Sequence, residues 1–408
     1  MASLAKPLIH IFYKVKDDEY RVYIKWTNEI KTVSKNQLYE IKNKYELMAG
    51  YNIDKNMDIN LRMFYEDFMM WNNELYQNGI DSFTHSYNND LAVLRAFTKH
   101  STFNLFNEEH IEELETFYFE SCNNGYLESC VPGEYDSYGY DMNTFYPRIL
   151  AENNLKIPVK AGKEYKLEAL DKYNLKYGFY KVVITCYHPE FIKIFKFAEN
   201  NVYTHYSLIF AFMYQSEYNI KIELNKDENF NAYLYNDSDL IETKSIFGDW
   251  FKKLIILKNK FPQNKLVKHL LSSLWGSLSR KNYKGKITVT EEELENYDEN
   301  IYIIDDIDIE KNIYYLVKKQ NKYRYNIRLK PFLQSYQRSF MGKIAHDNHL
   351  PEVIRICCDC IVYKSNVEIN VKNFLPEQKS TGKILWKNAR VYEQKTTFPA
   401  PFLYSENI

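Results

Sequence analysis

Glycine (12 residues) and proline (11) are scarce in this chain of 408 residues, which excludes collagen-like, elastic and linker-rich architectures. Long apolar runs are missing too. The longest, Leu208 to Tyr214, is far short of the ~20 residues that a membrane helix needs. No basic segment followed by an apolar core opens the chain, so neither export nor a membrane partner is expected. Net charge is almost absent: 53 Lys+Arg against 54 Asp+Glu leave −1, so any polyanion site must be local. Cysteine is limited to six residues, three of which (Cys357, Cys358, Cys360) fall within four positions, a poor layout for a disulfide framework or a zinc site. The cluster reads as buried strand cysteines of a protein in a reducing, intracellular setting.

Aromatic residues are plentiful, with 37 Tyr and 25 Phe. They would suit base stacking, but Asn, Lys and Ile are equally abundant, as AT-rich coding produces, so the class as a whole carries no functional reading. With 45% hydrophobic and 26% charged residues, the chain has ordinary globular usage and enough length for two to three units of ~150 residues.

Two partly alternating apolar runs, Leu8 to Val15 and Tyr20 to Trp26, flank Lys16-Asp17-Asp18-Glu19 and predict a β-hairpin. Three- and four-residue spacing then predicts helices over Gln37 to Met48, Asn60 to Leu75, Asp90 to Lys99 and Glu108 to Phe119. Residues 1–125 therefore read as a mostly helical module. From Glu134 onward, strand-like runs such as Tyr177 to Cys186 alternate with helices over Val202 to Glu217, Ile246 to Lys260 and Asn264 to Arg280, which is an α+β pattern. Charge is segregated there. Phe251 to Lys286 holds ten Lys/Arg and no acid, whereas Glu291 to Glu310 holds ten acids and no Lys/Arg. Such a run is ordinarily a solvated face, but two consecutive basic helices also suit a polyphosphate.

Three segments carry candidate chemistry. In Tyr140-Asp141-Met142-Asn143-Thr144-Phe145-Tyr146-Pro147 an acid closes a strand and a turn leads into a helix. In Lys268-His269-Leu270-Leu271-Ser272-Ser273-Leu274-Trp275-Gly276, helical steps place Lys265, Lys268, Ser272 and Trp275 on one face. In Val353 to Tyr363 two β-prone runs flank Asp359, whose carboxylate can meet that of Asp141 on an adjacent strand. Two carboxylates suit Mg²⁺ and a lysine face neutralises a triphosphate, the inventory of phosphoryl or nucleotidyl transfer.

In this order the three segments resemble motifs A, B and C of family B DNA polymerases, and are most similar to the protein-primed branch of phages, viruses and linear plasmids. Tyr140 to Pro147 is similar to D-x-N-S-L-Y-P, and Lys268 to Gly276 to K-x-x-x-N-S-x-Y-G, with Ser272 for Asn and Trp275 for Tyr. The resemblance implies a right-hand fold. Its palm would span 126–365 with helical fingers at about 245–286, and 366–408 would be a vestigial thumb or tail. It implies a nucleotidyltransferase, a DNA-directed DNA polymerase that extends a 3′-OH on a primer-template with dNTPs and two Mg²⁺ ions. Asp141, Asp359 and the Met142 carbonyl would be the metal ligands, and the two aspartates the catalytic acids. Tyr146 would exclude a ribose 2′-OH, Lys268 would contact the triphosphate with Lys258, Lys265 and Ser272 nearby, and Gly276 would admit the nascent base pair. Trp275, Arg280, Lys281 and Lys395 would face nucleic acid. A terminal protein and a separate exonuclease or processivity subunit are the partners it suggests.

Two departures qualify the match. Motif C reads Cys357-Cys358-Asp359 where the family has D-T-D, so one acid is lost and a preference for Mn²⁺ is expected. Upstream, Ser86 to Leu94 only faintly resembles the last exonuclease motif, with Asp90 kept, so residues 1–125 read as an exonuclease remnant and no proofreading is expected. These departures keep two alternatives open: a template-independent or protein-priming nucleotidyltransferase, and a catalytically silent polymerase-like scaffold that binds nucleic acid. His346 and His349, just before Pro351, read as helix C-terminal residues rather than metal ligands.

Overall fold

The computed structural model describes residues 9–16, 19–24, 28–34, 36–38, 40, 46–49, 61–80, 89–101, 113–122, 125–262, 265–278, 286–297, 302–308, 312–318, 328–369, 371 and 376–394. The N-terminal hairpin forms as expected: β1 (Ile9–Lys16) pairs antiparallel with β2 (Glu19–Ile24), which pairs with β3 (Glu29–Ser34). Of the stretch 37–48, expected as a helix, residues 37, 38 and 40 are helical, whereas its end forms β4 (Glu46–Ala49), which lies parallel to β1. Pairing to an open sheet edge overrides the helical spacing there. Helices α1 (Leu61–Gln77), α2 (Asn89–His100) and α3 (Glu113–Ser121) follow near their expected positions.

A six-stranded sheet forms the centre of the molecule. It contains β5 (Glu128–Cys130) and β6 (Gly133–Met142), and later in the chain β17 (Val353–Cys357), β18 (Cys360–Tyr363), β19 (Pro376–Trp386) and β20 (Tyr392–Gln394). Their order is β20-β19-β6-β18-β17-β5. Residues 376–394, within the segment expected as a thumb remnant or tail, thus extend the sheet that holds Asp141.

After β6 the chain turns into α4 (Phe145–Glu152), whose Pro147 sits in the first turn, where its missing N–H costs nothing. Two smaller sheets follow: a five-stranded one of β8 (Lys163–Tyr165), β9 (Gly178–Thr185), β10 (Val202–Thr204), β11 (Lys221–Leu224) and β12 (Ala232–Leu234), and a pair of β7 (Lys156–Pro158) and β13 (Leu240–Glu242). Helices α5 (Pro189–Ile194), α6 (His205–Met213) and α7 (Gln215–Tyr218) interrupt the five-stranded sheet. Next comes the helix pair α8 (Thr243–Lys260) and α9 (Lys265–Leu278). The acidic block builds α10 (Glu291–Leu294) and β15 (Tyr302–Asp308), in a small sheet with β14 (Lys286–Thr290) and β16 (Ile313–Lys318). Helix α11 (Leu329–Asp347) packs against α4, α5 and α6 and leads into β17.

The main core joins these layers. Phe97 of α2 stacks on Phe247 of α8 at 5.2 Å and meets Trp250 edge-on at 5.3 Å, while Phe145 of α4 contacts Phe340 of α11 at 5.7 Å. Arg328 forms a two-pronged pair with Glu115, both bonds 2.8 Å, and Tyr235 donates to the same carboxylate at 2.7 Å. This buried cluster ties α3 to the start of α11. No described helix is long and apolar enough to cross a membrane.

Candidate active site

The two acids singled out in the sequence lie side by side. Asp141 is the penultimate residue of β6, and its cross-strand neighbour on β18 is Cys360. Asp359 precedes that cysteine in the two-residue turn between β17 and β18, and its carbonyl oxygen accepts from the Met142 N–H at 2.9 Å. The turn is tight because Cys358 takes a left-handed conformation, φ 57°, unusual for a side chain of this kind. Its backbone is held on both sides: its N–H donates to the Leu127 carbonyl at 3.3 Å, and Gln337 Nε2 of α11 donates to its carbonyl at 2.6 Å. Both residues are half-buried.

The turn after Asp141 is fixed in a second way. Thr144 is also left-handed (φ 56°), and Lys258 of α8 donates through Nζ to Asn143 Oδ1 at 2.8 Å and to Thr144 Oγ1 at 2.7 Å. Lys258, expected at a phosphate, is thus engaged by the Asn143-Thr144 turn.

Helix α9 docks on α4 through aromatic rings. Trp275 stacks on Tyr146 at 4.4 Å with planes 22° apart, and Tyr126 meets both rings edge-on, at 6.2 and 6.3 Å. Tyr146 is 8% exposed, and its buried hydroxyl has no hydrogen-bond partner among the described residues. Burial, then Tyr126, Cys358 and Asp359, push its pKa well above that of a free phenol. Val267, Leu270, Leu271 and Leu274 form the buried side of α9. Lys268, Ser272 and Gly276 lie on its exposed side, and Trp275, half-buried, stands at the edge of the face it shares with Lys268 and Ser272, its ring against Tyr146. A Cβ at Gly276 would meet nothing within 4 Å, and Ser272 Oγ donates back to the Lys268 carbonyl at 3.0 Å. Lys265 begins α9, but its side chain lies outside the described residues, as do Arg280, Lys281 and Lys395 entirely. Asp90 belongs to the backbone of α2, and its side chain is likewise outside them.

Around Asp359, residues Cys357, Cys358 and Cys360 are half-buried, and the Cys360 thiol is enclosed as expected. Cys357 and Cys358 stand with Sγ atoms 4.0 Å apart. The hydrogen bond with Cys358 lowers the Cys357 pKa to about 7, while burial leads in raising that of Cys360 to about 12. Sequence reasoning missed Glu128, Gln337 and Arg390, which reach this corner from β5, α11 and the β19–β20 connection. Strand pairing brings Glu128 there, and the packing of α11 and of the β19–β20 connection brings Gln337 and Arg390, so no local signal announced them. His346 sits in the last turn of α11, bonded to Glu217 Oε1 at 3.0 Å and Asp347 Oδ1 at 3.1 Å, and His349 lies beyond the helix end with φ 59°.

No protein-family profile matches the chain, and no curated protein matches it in sequence. Solved structures do match. The chain is similar to phi29 DNA polymerase complexed with primer-template DNA, with a TM-score of 0.60 and 11% identity over 95% of this chain and 87% of that one. It is also similar to the same polymerase with primer-template DNA and incoming nucleotide substrates (TM-score 0.59, 11% identity, 95% and 87% covered). The complex with single-stranded DNA gives a TM-score of 0.60 at 11% identity, with 95% and 86% covered. The α+β fold of this chain is therefore that of the solved phi29 DNA polymerase structures.

Proposed function

We propose that the chain is a DNA-directed DNA polymerase that adds dNTPs to a primer 3′-OH opposite a DNA template, without proofreading. The observation that carries this reading is the meeting of Asp141 and Asp359 at one end of the β6–β18 pair, beside a basic helix. The solved neighbours are complexes with primer-template DNA and nucleotides, which favours DNA as the partner.

The donor set suits a hard divalent cation. Asp141 and Asp359 offer carboxylate oxygens, and the Met142 carbonyl is the third candidate ligand. When bound there, two Mg²⁺ ions would acidify the primer hydroxyl and neutralise the triphosphate. Cys357 in place of an acid removes one negative charge, so Mn²⁺ should support activity better than Mg²⁺.

The chain's own residues do the rest. The Met142–Asp359 backbone bond holds the two acid-bearing segments in register. Lys258 pins the Asn143-Thr144 turn, which fixes where Asp141 and the start of α4 stand. Tyr146 and Trp275 form an apolar wall beside the acids that would limit the sugar to deoxyribose. Lys268 and Ser272, exposed on α9, would receive the triphosphate, and Gly276 leaves open space for a base pair. We assign residues 1–125 to an N-terminal module, 126–365 to palm with fingers at about 245–286, and the remainder to a reduced thumb region that also completes the palm sheet. A terminal protein or a processivity subunit would supply the grip that a short thumb lacks.

The test is extension of a labelled primer on a defined template, followed by sequencing of the products. Products that follow the template support the proposal. Products independent of it would mean an untemplated nucleotidyltransferase, and DNA binding without any extension, in Mg²⁺ or Mn²⁺, would mean a silent scaffold.

A further inference from the structure

We infer that Glu128, Cys357 and Cys358 form a binding site for a thiophilic divalent cation of the Zn²⁺ class, distinct from the Asp141–Asp359 pair and independent of the polymerase reading. Neighbouring residues of an extended strand point to opposite faces, so two successive cysteines would ordinarily present their thiols apart. Here Cys357 ends β17 and Cys358 turns left-handed, which brings the two sulfurs to 4.0 Å. Glu128 is the cross-strand partner of Cys357 on β5. A ligand atom from each of the three residues lies within 4.8 Å of the others, the one such group of three among the described residues.

The spacing suits one ion. Tetrahedral Zn²⁺ with Zn–S bonds of about 2.3 Å separates two sulfurs by about 3.8 Å. The surroundings are those of a prepared site. Arg390 donates to Glu128 Oε1 through Nε at 3.2 Å and Nη2 at 2.6 Å, which orients the carboxylate and leaves Oε2 to coordinate. The backbone bonds of Cys358 to Leu127 and Gln337 hold the turn before any ion arrives. All three residues are half-buried, which leaves a fourth position for water. Two thiols and one carboxylate select a borderline-soft ion over Mg²⁺, whereas the neighbouring aspartates offer only oxygen. Occupancy would tie β5 to the turn that carries Asp359.

Titration of the full chain with Co²⁺, read by absorbance, tests this. One equivalent should produce a thiolate-to-cobalt charge-transfer band with the visible bands of a tetrahedral ion; Zn²⁺ should abolish both, and Mg²⁺ should not. The Cys357→Ser/Cys358→Ser variant should lose the charge-transfer band, Glu128→Gln should weaken binding while keeping it, and Asp141→Asn should leave it unchanged. Circular dichroism checks that each variant is folded. No band in the wild type, a band that survives the double serine variant, or one lost with Asp141→Asn would overturn the assignment.

Discussion

The backbone N–H of Met142 donates to the carbonyl of Asp359 at 2.9 Å, so the segments carrying the two acids are joined without help from either carboxylate. Asp141→Asn and Asp359→Asn should therefore leave the fold in place, with stability within about 1 kcal/mol of the wild type. Urea unfolding midpoints check this, and a larger drop would mean that the carboxylates themselves support the sheet.

The Tyr146 hydroxyl is buried and has no partner among the described residues, which is costly for a polar group. Tyr146→Phe should be neutral or stabilising by about 1 kcal/mol, whereas Trp275→Ala, which removes its stacking partner, should destabilise by about 2 kcal/mol or more. A clear loss of stability in Tyr146→Phe would mean that the hydroxyl has a partner.

Lys258 bridges α8 to the Asn143-Thr144 turn. Under the polymerase reading, Lys258→Met should lower the incorporation rate by about 10- to 100-fold through misplacement of the Asp141 turn. Lys258→Arg, which can still reach both oxygens, should recover part of it. If the loss appears only as a raised KM for dNTP, Lys258 acts on the nucleotide instead.

The Glu115–Arg328 pair is buried and shares its carboxylate with Tyr235. Arg328→Met strands a buried charge and should cost about 3–5 kcal/mol in chemical denaturation. A loss below 1 kcal/mol would show that solvent reaches the pair.

His346 gives a pH dependence. Burial opposes its charge, but its bonds to Glu217 and Asp347 outweigh that and raise its pKa above 6.5. Glu217 is shifted down from 4.5, chiefly by its hydrogen bond to His346. The histidine's contribution is full below its unfolded pKa of about 6.5 and is lost as pH rises through the raised folded value. The carboxylate's contribution is lost as pH falls below its own range. His346→Gln should thus lower the Tm most near pH 5 to 6 and least above pH 8. An equal loss at both ends would mean that packing against Tyr214, at 4.3 Å, dominates.

Much of the candidate site is legible in short stretches because its parts are local. Asp141 and its turn, and Lys268 with Ser272, each sit within one element and its flank. The hairpin β1–β2 and helices α1 and α2 were readable for the same reason. What depends on distant pairing was not. The segment 46–48 became strand by lying beside β1. Lys258 found a turn far away in sequence, and Trp275 meets Tyr146 only through the α4–α9 packing. Glu128 meets Cys357 only through the β5–β17 pairing, so the cysteines looked like inert core.

The central claim is that Asp141 and Asp359 are the catalytic acids of a templated polymerase. The most direct measurement is primer extension by the wild type and by Asp359→Asn, with DNA binding measured on both. Template-directed extension in the wild type, lost in the variant while DNA binding persists, is the result the account predicts. Extension that survives in Asp359→Asn would contradict it.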